Sequence, residues 1–179
     1  FFSEKHRPLT VYTVKLLFDK RNIPYYDALK QVRAWWENMD SYTPAFVPDV
    51  ARRPMYSTWY SYHKDLSEEA LLEECRVAAT AGYKAIIIDD GWQSKDNIRG
   101  YASTGDWQPE KLPHLDELVA KIHALDMKVM LWYSLPFVGI QSHAYQQFKN
   151  KSLRMADRNR AAILDPRYPE EREYIINTY

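Results

Sequence analysis

The apolar residues in the second half of the chain alternate between strand-like and helix-like patterns. The segment 85–90 contains three consecutive isoleucines at 86–88 and has no polar alternation before its two acids, which is typical of a strand buried on both faces in a parallel sheet. Residues 128–133 predict a later strand, and the aromatic segment 55–62 predicts an earlier one. Between them, residues 65–82 and 114–125 carry apolar side chains at helical spacing, so strands and helices are predicted to alternate.

This order predicts an α/β fold. Strand, helix, strand, helix, strand and a last helix from Pro169 onward indicate a parallel sheet with right-handed crossover connections. The units fit the first three βα pairs of a (β/α)8 barrel, and a complete barrel takes about 250 residues. We therefore expect residues 55–179 to form the N-terminal part of a barrel, truncated before its fourth strand.

The first 54 residues have a different pattern. Residues 9–18 predict a strand and residues 25–39 a helix, whereas residues 40–54 have three prolines and no periodicity. We expect residues 1–24 to end a preceding β domain, and residues 25–54 to be a linker helix and connection. The chain lacks an initiator Met and a terminating pattern, so we also expect it to be a piece of a longer protein.

Composition narrows the function classes. A formal net charge of +0 argues against a nucleic-acid partner or an anionic membrane partner, and no apolar run is long enough to span a membrane. No signal peptide is visible, which leaves the cytoplasm and the periplasm open. The 14 Tyr and 6 Trp suit a sugar-binding cleft. Cys75, the single cysteine, forbids an internal disulfide and is expected to be buried in a helix.

The candidate chemistry lies where the central strand ends. Asp89 and Asp90 follow the isoleucine run, and the carboxyl ends of parallel strands form the ligand-binding face of such folds. Two acids there need partners, either sugar hydroxyls or a metal ion. Trp92 offers a flat apolar wall, and Trp59 and Trp132 are expected at the ends of the neighbouring strands.

A metal site is the weaker alternative for the acid pair. No His or Cys lies nearby in sequence, so only an oxygen-preferring ion would suit it. The long loop 91–113 that follows is typical of functional loops, and its Lys95 and Arg99 are expected to be solvated.

Four short motifs occur in an order that resembles a known family. They are IDDGW at 88–92, GDW at 105–107, MKVMLW at 127–132 and LDP at 164–166. Together they resemble the barrel of the α-galactosidases of glycoside hydrolase family 36, the melibiase-like enzymes, over residues 25–179. The resemblance also implies that the N-terminal strand belongs to a β-sandwich.

The resemblance implies roles for individual residues. Asp89 and Asp90 match the acids that hold the galactose 4- and 6-hydroxyls, and Trp59 and Trp132 match aromatic residues that lie against the sugar. An arginine before the Leu-Asp motif contacts substrate in the family; Arg158 is the candidate here and Arg160 its alternative, each one residue away from the expected spacing.

The chain also departs from the family. The family's Glu-Pro-Glu after the third strand is replaced by residues 133–136 (YSLP), which puts the preference for the leaving group in doubt. The nucleophile and the acid/base are expected beyond residue 179, and no cofactor is expected.

The predicted function is retaining hydrolysis of terminal α-galactosyl residues in oligosaccharides of the melibiose and raffinose type. A retaining enzyme needs two carboxyl groups about 5–5.5 Å apart that flank the scissile bond, so adjacent Asp89 and Asp90 are expected to bind substrate and not to act as the catalytic pair. Three alternatives remain open: a raffinose-synthase-type transglycosylase, a non-catalytic sugar-binding barrel and a barrel enzyme that uses a divalent ion. The resemblance leaves a homo-oligomer open for the full-length enzyme.

Overall fold

The computed structural model describes residues 10–11, 13–14, 16, 18–40 and 42–178. The chain divides into two compact units, Phe1–Phe46 and Val47–Tyr179. Four of the ten positions of the strand predicted at 9–18 lie outside the described residues, and the other six do not form a strand. The β-sandwich to which this strand was assigned stays a prediction. The predicted domain boundaries therefore stay a prediction.

The first unit contains one helix, α1 (Tyr25–Glu37), among its described residues. Pro24 precedes it, where a fixed φ and a missing N–H are compatible with a helix start. The Asn38 side-chain amide donates to the Ala34 carbonyl at the other end, at 2.7 Å. The predicted helix at 25–39 is confirmed, although none of its side chains is buried.

The second unit is built on a parallel three-stranded sheet. Its strands are β1 (Met55–Ser57), β2 (Ala85–Ile88) and β3 (Lys128–Leu131), in the order β1-β2-β3. Ile86 pairs with Tyr56 on one side and with Val129 on the other, which places the isoleucine run in the centre. The strand predicted at 55–62 is wrong in its second half, because a one-turn helix, α2 (Trp59–Tyr62), begins directly after Thr58.

Two longer helices connect these strands. They are α3 (Glu68–Thr80), between β1 and β2, and α4 (Leu115–His123), between β2 and β3. A 3-10 turn (Asp49–Arg52) precedes β1. The Ser67 hydroxyl caps α3 by accepting from the Ala70 N–H at 3.3 Å, and acidic residues in the first turn suit the helix dipole. The buried face of α3 includes Cys75, as predicted. Both helices pack on the sheet in one apolar core that also contains Ile86, Ile88, Trp92 and Met127.

A small antiparallel sheet follows β3 and was missed by the sequence analysis. It consists of β4 (Phe137–Gly139), β5 (Arg154–Ala156) and β6 (Ala161–Ile163) in the order β4-β6-β5, with helix α5 (His143–Phe148) between β4 and β5. Strands of three residues are too short to show a periodic pattern. The predicted last helix is confirmed as α6 (Pro169–Thr178).

The described helices include none that is both long and apolar enough to cross a membrane.

Candidate functional site

A pocket of about 460 Å³ opens at the carboxyl end of the parallel sheet. Four predicted site residues line it: Trp59 after β1, Asp89 and Asp90 after β2, and Trp132 after β3. The remaining wall comes from the long loop and from the small sheet, through Arg99, Gly100, Tyr101 and Asn159. The predicted convergence of strand ends at one mouth therefore brings two acids and two indoles together.

Asp89 and Asp90 lie beyond the end of the strand, where side chains need not alternate between the two faces of the sheet. Strand β2 ends at Ile88, so Asp89 and Asp90 are no longer bound to point to opposite faces. The Asp89 N–H donates to the Thr58 hydroxyl at 3.0 Å, and the Asp90 N–H donates to Asp89 Oδ1 at 2.7 Å. Thr58 is itself fully buried, so the backbone of the acid pair is tied to the end of β1.

Asp90 is the buried member of the pair, with 4% of its surface exposed. Gln93 donates to Asp90 Oδ1 at 2.7 Å, and the Lys64 ammonium lies 3.9 Å from the same oxygen. Burial raises the pKa of Asp90 above its usual range, while the Gln93 hydrogen bond and the Lys64 charge act to lower it. Asp89 is half-buried, so the pocket offers one shielded and one more open carboxylate.

Gly91 makes this arrangement possible. Its φ of +122° is accessible to glycine, and a Cβ at this position would lie 2.7 Å from the Lys64 Cα. The chain therefore turns after the acid pair while pressed against the Lys64 backbone. Lys64 was not singled out from the sequence, because nothing in its local pattern distinguishes it from a solvated lysine.

Aromatic rings form the apolar walls. The Tyr101 ring lies 5.8 Å from the Trp132 ring, and Trp59 makes an edge-to-face contact with His63 at 5.0 Å. Indole faces of this kind stack on the C–H patches of a pyranose, and carboxylates accept hydrogen bonds from its hydroxyls.

The structure corrects the role predicted for Trp92. Its side chain is only 2% exposed and stacks on Trp107 within the core, so it offers no wall to a ligand. Its indole N–H instead donates to the Trp132 carbonyl at 2.9 Å. Trp92 thus holds the backbone of the pocket residue Trp132 from the core side.

The structure places Arg158, the predicted substrate-binding arginine, outside the lining of the pocket. Arg158 is exposed in a 3-10 turn (Asp157–Asn159) and does not line the pocket, and neither does Arg160. Asn159, between them, reaches the pocket instead.

Arg99 has a larger role than a solvated residue. It is exposed, as predicted, yet it lines the pocket with its guanidinium 5.8 Å from the Trp59 ring. It also lies 2.9 Å from His63 Nε2. Lys95 is exposed and does not line the pocket.

The pocket rim interlocks with the small sheet through the backbone. The Tyr101 N–H donates to the Asn159 carbonyl at 2.9 Å, and the Gly139 N–H donates to the Thr104 carbonyl at 2.8 Å. A Cβ on Gly139 would overlap the carbonyl oxygens of Tyr101 and Ala102, so only glycine permits this approach. The small sheet thus fixes the position of the rim segment 99–101.

Asp106 of the GDW motif lies outside the pocket. Its Oδ1 accepts from the Ala144 N–H and its Oδ2 from the His143 N–H, each at 2.9 Å. These bonds satisfy backbone donors at the start of α5, so Asp106 attaches the long loop to the small subdomain.

The acid pair has no further metal-type ligands among the residues that the structure describes, where no group of three or more His, Cys, Asp or Glu is placed to hold an ion.

Comparisons with known proteins identify the family of this chain and several relatives. The sequence profile of the Melibiase family matches residues 44–178. α-Galactosidase AgaA of Geobacillus stearothermophilus is 30% identical over 139 residues, which cover 73% of this chain and 19% of that protein. An A type blood α-D-galactosamine galactosaminidase of Flavonifractor plautii is 27% identical over 150 residues, which cover 79% of this chain and 13% of that protein.

Solved structures give the same result. The crystal structure of the Geobacillus AgaA, a GH36 α-galactosidase, superposes with a TM-score of 0.64 at 27% identity, over 71% of this chain and 19% of that one. A substituted form of the same enzyme in complex with raffinose superposes with a TM-score of 0.63 at 26% identity, again over 71% of this chain and 19% of that one. This chain has the α/β fold of these proteins, but it spans about a fifth of their length.

Proposed function

Because this chain belongs to the melibiase family, whose profile covers residues 44–178, we propose that it supplies part of the galactose-binding subsite of a retaining α-galactosidase. The substrates are terminal α-galactosyl residues of oligosaccharides of the melibiose and raffinose type. The observation that carries this proposal is the convergence of Asp89, Asp90, Trp59 and Trp132 on one pocket of about 460 Å³. Two carboxylates can accept from neighbouring sugar hydroxyls while the indoles cover the apolar face of the ring.

The relatives favour hydrolysis over the alternatives. The Geobacillus AgaA is an α-galactosidase, and the substituted form of it was crystallised with raffinose. These names support neither a transglycosylase nor a non-catalytic sugar-binding barrel.

We also propose the architecture around the site. Strands β1–β3 are the first three strands of a (β/α)8 barrel, residues 1–24 are the end of a β-sandwich, and residues 25–54 link the two. The parallel order β1-β2-β3 and the helices between the strands support the barrel.

The two carboxylates of the pocket are suited to binding the sugar and not to catalysis. Among the described residues, the carboxylates that line the pocket are Asp89 and Asp90, which are adjacent and joined by the Asp90 N–H bond to Asp89 Oδ1. A retaining mechanism needs two carboxyl groups that flank the scissile bond about 5–5.5 Å apart. Asp89 and Asp90 therefore hold the sugar, and the nucleophile and acid/base belong to residues beyond 179.

The direct test uses Asp90→Asn in the full-length protein. A hydrogen bond to a charged group contributes about 1.5–3 kcal/mol, and one carboxylate can hold two hydroxyls. We expect kcat/KM for an aryl α-galactoside to fall by about two to four orders of magnitude. Asp116→Asn, at an exposed position of α4, is the matched control, and equal kcat/KM for Asp90→Asn and wild type would contradict the assignment.

Two further assays define the reaction. Melibiose with and without added sucrose separates hydrolysis from galactosyl transfer, because only transfer yields a larger galactosylated product. An aryl α-galactosaminide should be included, because one relative is a galactosaminidase.

The division of roles has its own test. Residues 1–179 alone should not hydrolyse a chromogenic α-galactoside, because binding residues cannot form a glycosyl–enzyme intermediate. Turnover near the full-length rate would place the chemistry on Asp89, Asp90 or Asp106.

A further inference from the structure

Lys64 is a buried lysine beside the pocket, with 1% of its side chain exposed. Its ammonium donates to the Ile98 carbonyl at 3.1 Å and lies 3.6 Å from Asp96 Oδ1 and 3.9 Å from Asp90 Oδ1. A buried cation is costly unless it is paired, and here two carboxylates and one carbonyl surround it.

The three partners of Lys64 belong to different parts of the site. Asp90 is on the pocket floor, whereas Asp96 and Ile98 belong to the long loop just before the rim residues Arg99, Gly100 and Tyr101. Asp96 also fixes this loop internally, because its Oδ1 accepts from the Ile98 N–H at 2.8 Å. One ammonium group therefore joins the sugar-binding acid to the loop that forms the rim.

We propose that Lys64 is a positioning residue for the sugar subsite, which holds the Asp90 carboxylate and the Arg99–Tyr101 rim in place through its buried ammonium. This inference rests on the function proposed above for Asp90. Lys64 itself does not line the pocket, so it acts on the substrate through Asp90 and the rim.

The charges around Asp90 determine how this role can be measured. Lys64 faces Asp90 as a cation, Asp89 and Asp96 face it as acids, and Gln93 donates to it. Lys111 lies behind Lys64, with its ammonium 2.6 Å from the Lys64 carbonyl and 3.5 Å from the Asp96 carbonyl. Loss of the Lys64 charge leaves Asp90 among acids, so its pKa rises further and protonation reaches higher pH.

The decisive variant is Lys64→Met in the full-length protein, which removes the charge and keeps an unbranched side chain. The readout is the inhibition constant of D-galactose against hydrolysis of an aryl α-galactoside, measured from pH 4.5 to pH 8. We expect the acidic limb of binding to move up by about one pH unit, so that affinity falls about tenfold at the acidic end and less at the alkaline end. A merely structural role would lower affinity to the same extent at every pH.

Lys64→Gln, which also removes the charge, replaces Lys64→Met if that variant does not fold. Asp96→Asn is a further variant. It removes the acid that competes with Asp90 for Lys64, so the acidic limb should move to lower pH, opposite to Lys64→Met. Lys121→Met, an exposed lysine on α4, is the matched control and should leave the profile unchanged.

The outcomes separate the two proposals. Opposite shifts in Asp96→Asn and in Lys64→Met, or in Lys64→Gln if Lys64→Met does not fold, support the role of Lys64. If the wild-type protein binds galactose but the acidic limb of the pH profile does not move in the folded variants, the role of Lys64 is overturned and the proposed function stays intact. Failure of the wild-type protein to bind galactose overturns both.

Discussion

The indole N–H of Trp92 donates a 2.9 Å hydrogen bond to the main-chain carbonyl of Trp132, at the end of the neighbouring strand. A buried core residue thus holds a pocket residue in place. Since Trp132 also contacts the Tyr101 ring, this bond supports one whole aromatic side of the pocket.

Replacement of Trp92 by Phe should therefore destabilise the protein and weaken substrate binding together. The Trp132 carbonyl loses its donor, which costs about 1–3 kcal/mol when the group stays buried, and the smaller ring leaves a void. Urea-induced unfolding and KM for an aryl α-galactoside measure the two effects. Trp36→Phe on exposed α1 is the control, and an unchanged KM in Trp92→Phe would show that Trp132 does not depend on this bond.

Replacement of Gly91 by Ala should be more damaging than the same change at Gly82. Both glycines have positive φ, +122° and +86°, but only at Gly91 would the new Cβ meet backbone, whereas nothing lies within 4 Å at Gly82. Backbone strain costs about 1–3 kcal/mol at either position, and the clash with Lys64 adds to it at Gly91 alone. Equal losses of unfolding free energy in the two variants would rule out the close packing of Gly91 on Lys64.

Replacement of Asp106 by Ala should reduce stability without removing sugar binding. The change leaves the N–H groups of His143 and Ala144 without their acceptors, and loss of such a cap costs about 0.5–2 kcal/mol. Asp116→Ala, in the exposed first turn of α4, is the control and should cost less. A complete loss of galactose binding by folded Asp106→Ala protein would assign this residue a role at the pocket.

Asp90 should give stability a characteristic pH dependence. Burial raises the pKa of Asp90 above its usual range, so the native state keeps a proton that the unfolded chain has lost. The contribution of Asp90 to the free energy of unfolding therefore decreases as pH rises from about 4 through the native pKa. The stability of Asp90→Asn relative to wild type should rise over that interval in urea unfolding at a series of pH values.

Asp165 provides a control of opposite sign. The hydrogen bonds from the Arg167 guanidinium lower the pKa of Asp165, so its contribution is present above the unfolded pKa and disappears as pH falls through the native pKa. Asp165→Asn should therefore lose most stability near neutral pH and least in acid. The same pH trend in both variants would contradict the opposite environments of the two acids.

The parts of the fold that follow from sequence are those with long periodic patterns. The isoleucine run of β2 and the helical spacing of α3 and α1 each gave a correct element. Burial of an apolar face fixes β2 and α3 locally, whereas α1 has no buried side chain. The strand predicted at 55–62 was too long, because aromatic composition alone does not distinguish β1 from the turn of helix after it.

The site was predictable where it depends on strand ends and not where it depends on loops. Asp89, Asp90, Trp59 and Trp132 follow from the rule that parallel strands present their carboxyl ends to one face. Lys64 and Asn159 owe their positions to long-range packing of irregular segments, which leaves no local pattern. Trp92 was misplaced because an indole after a glycine turn can face either the ligand or the core.

The close approach of Gly139 to the carbonyls of Tyr101 and Ala102 has a consequence for engineering of the pocket. The rim and the small antiparallel sheet must be exchanged as one piece, since a rim loop of different length grafted from a relative would lose its fit to Gly139 and to the Asn159 carbonyl. Mutant libraries intended to change specificity are better directed at Arg99 and Asn159, which line the pocket. Side-chain changes there leave the backbone contacts between the rim and the small sheet in place.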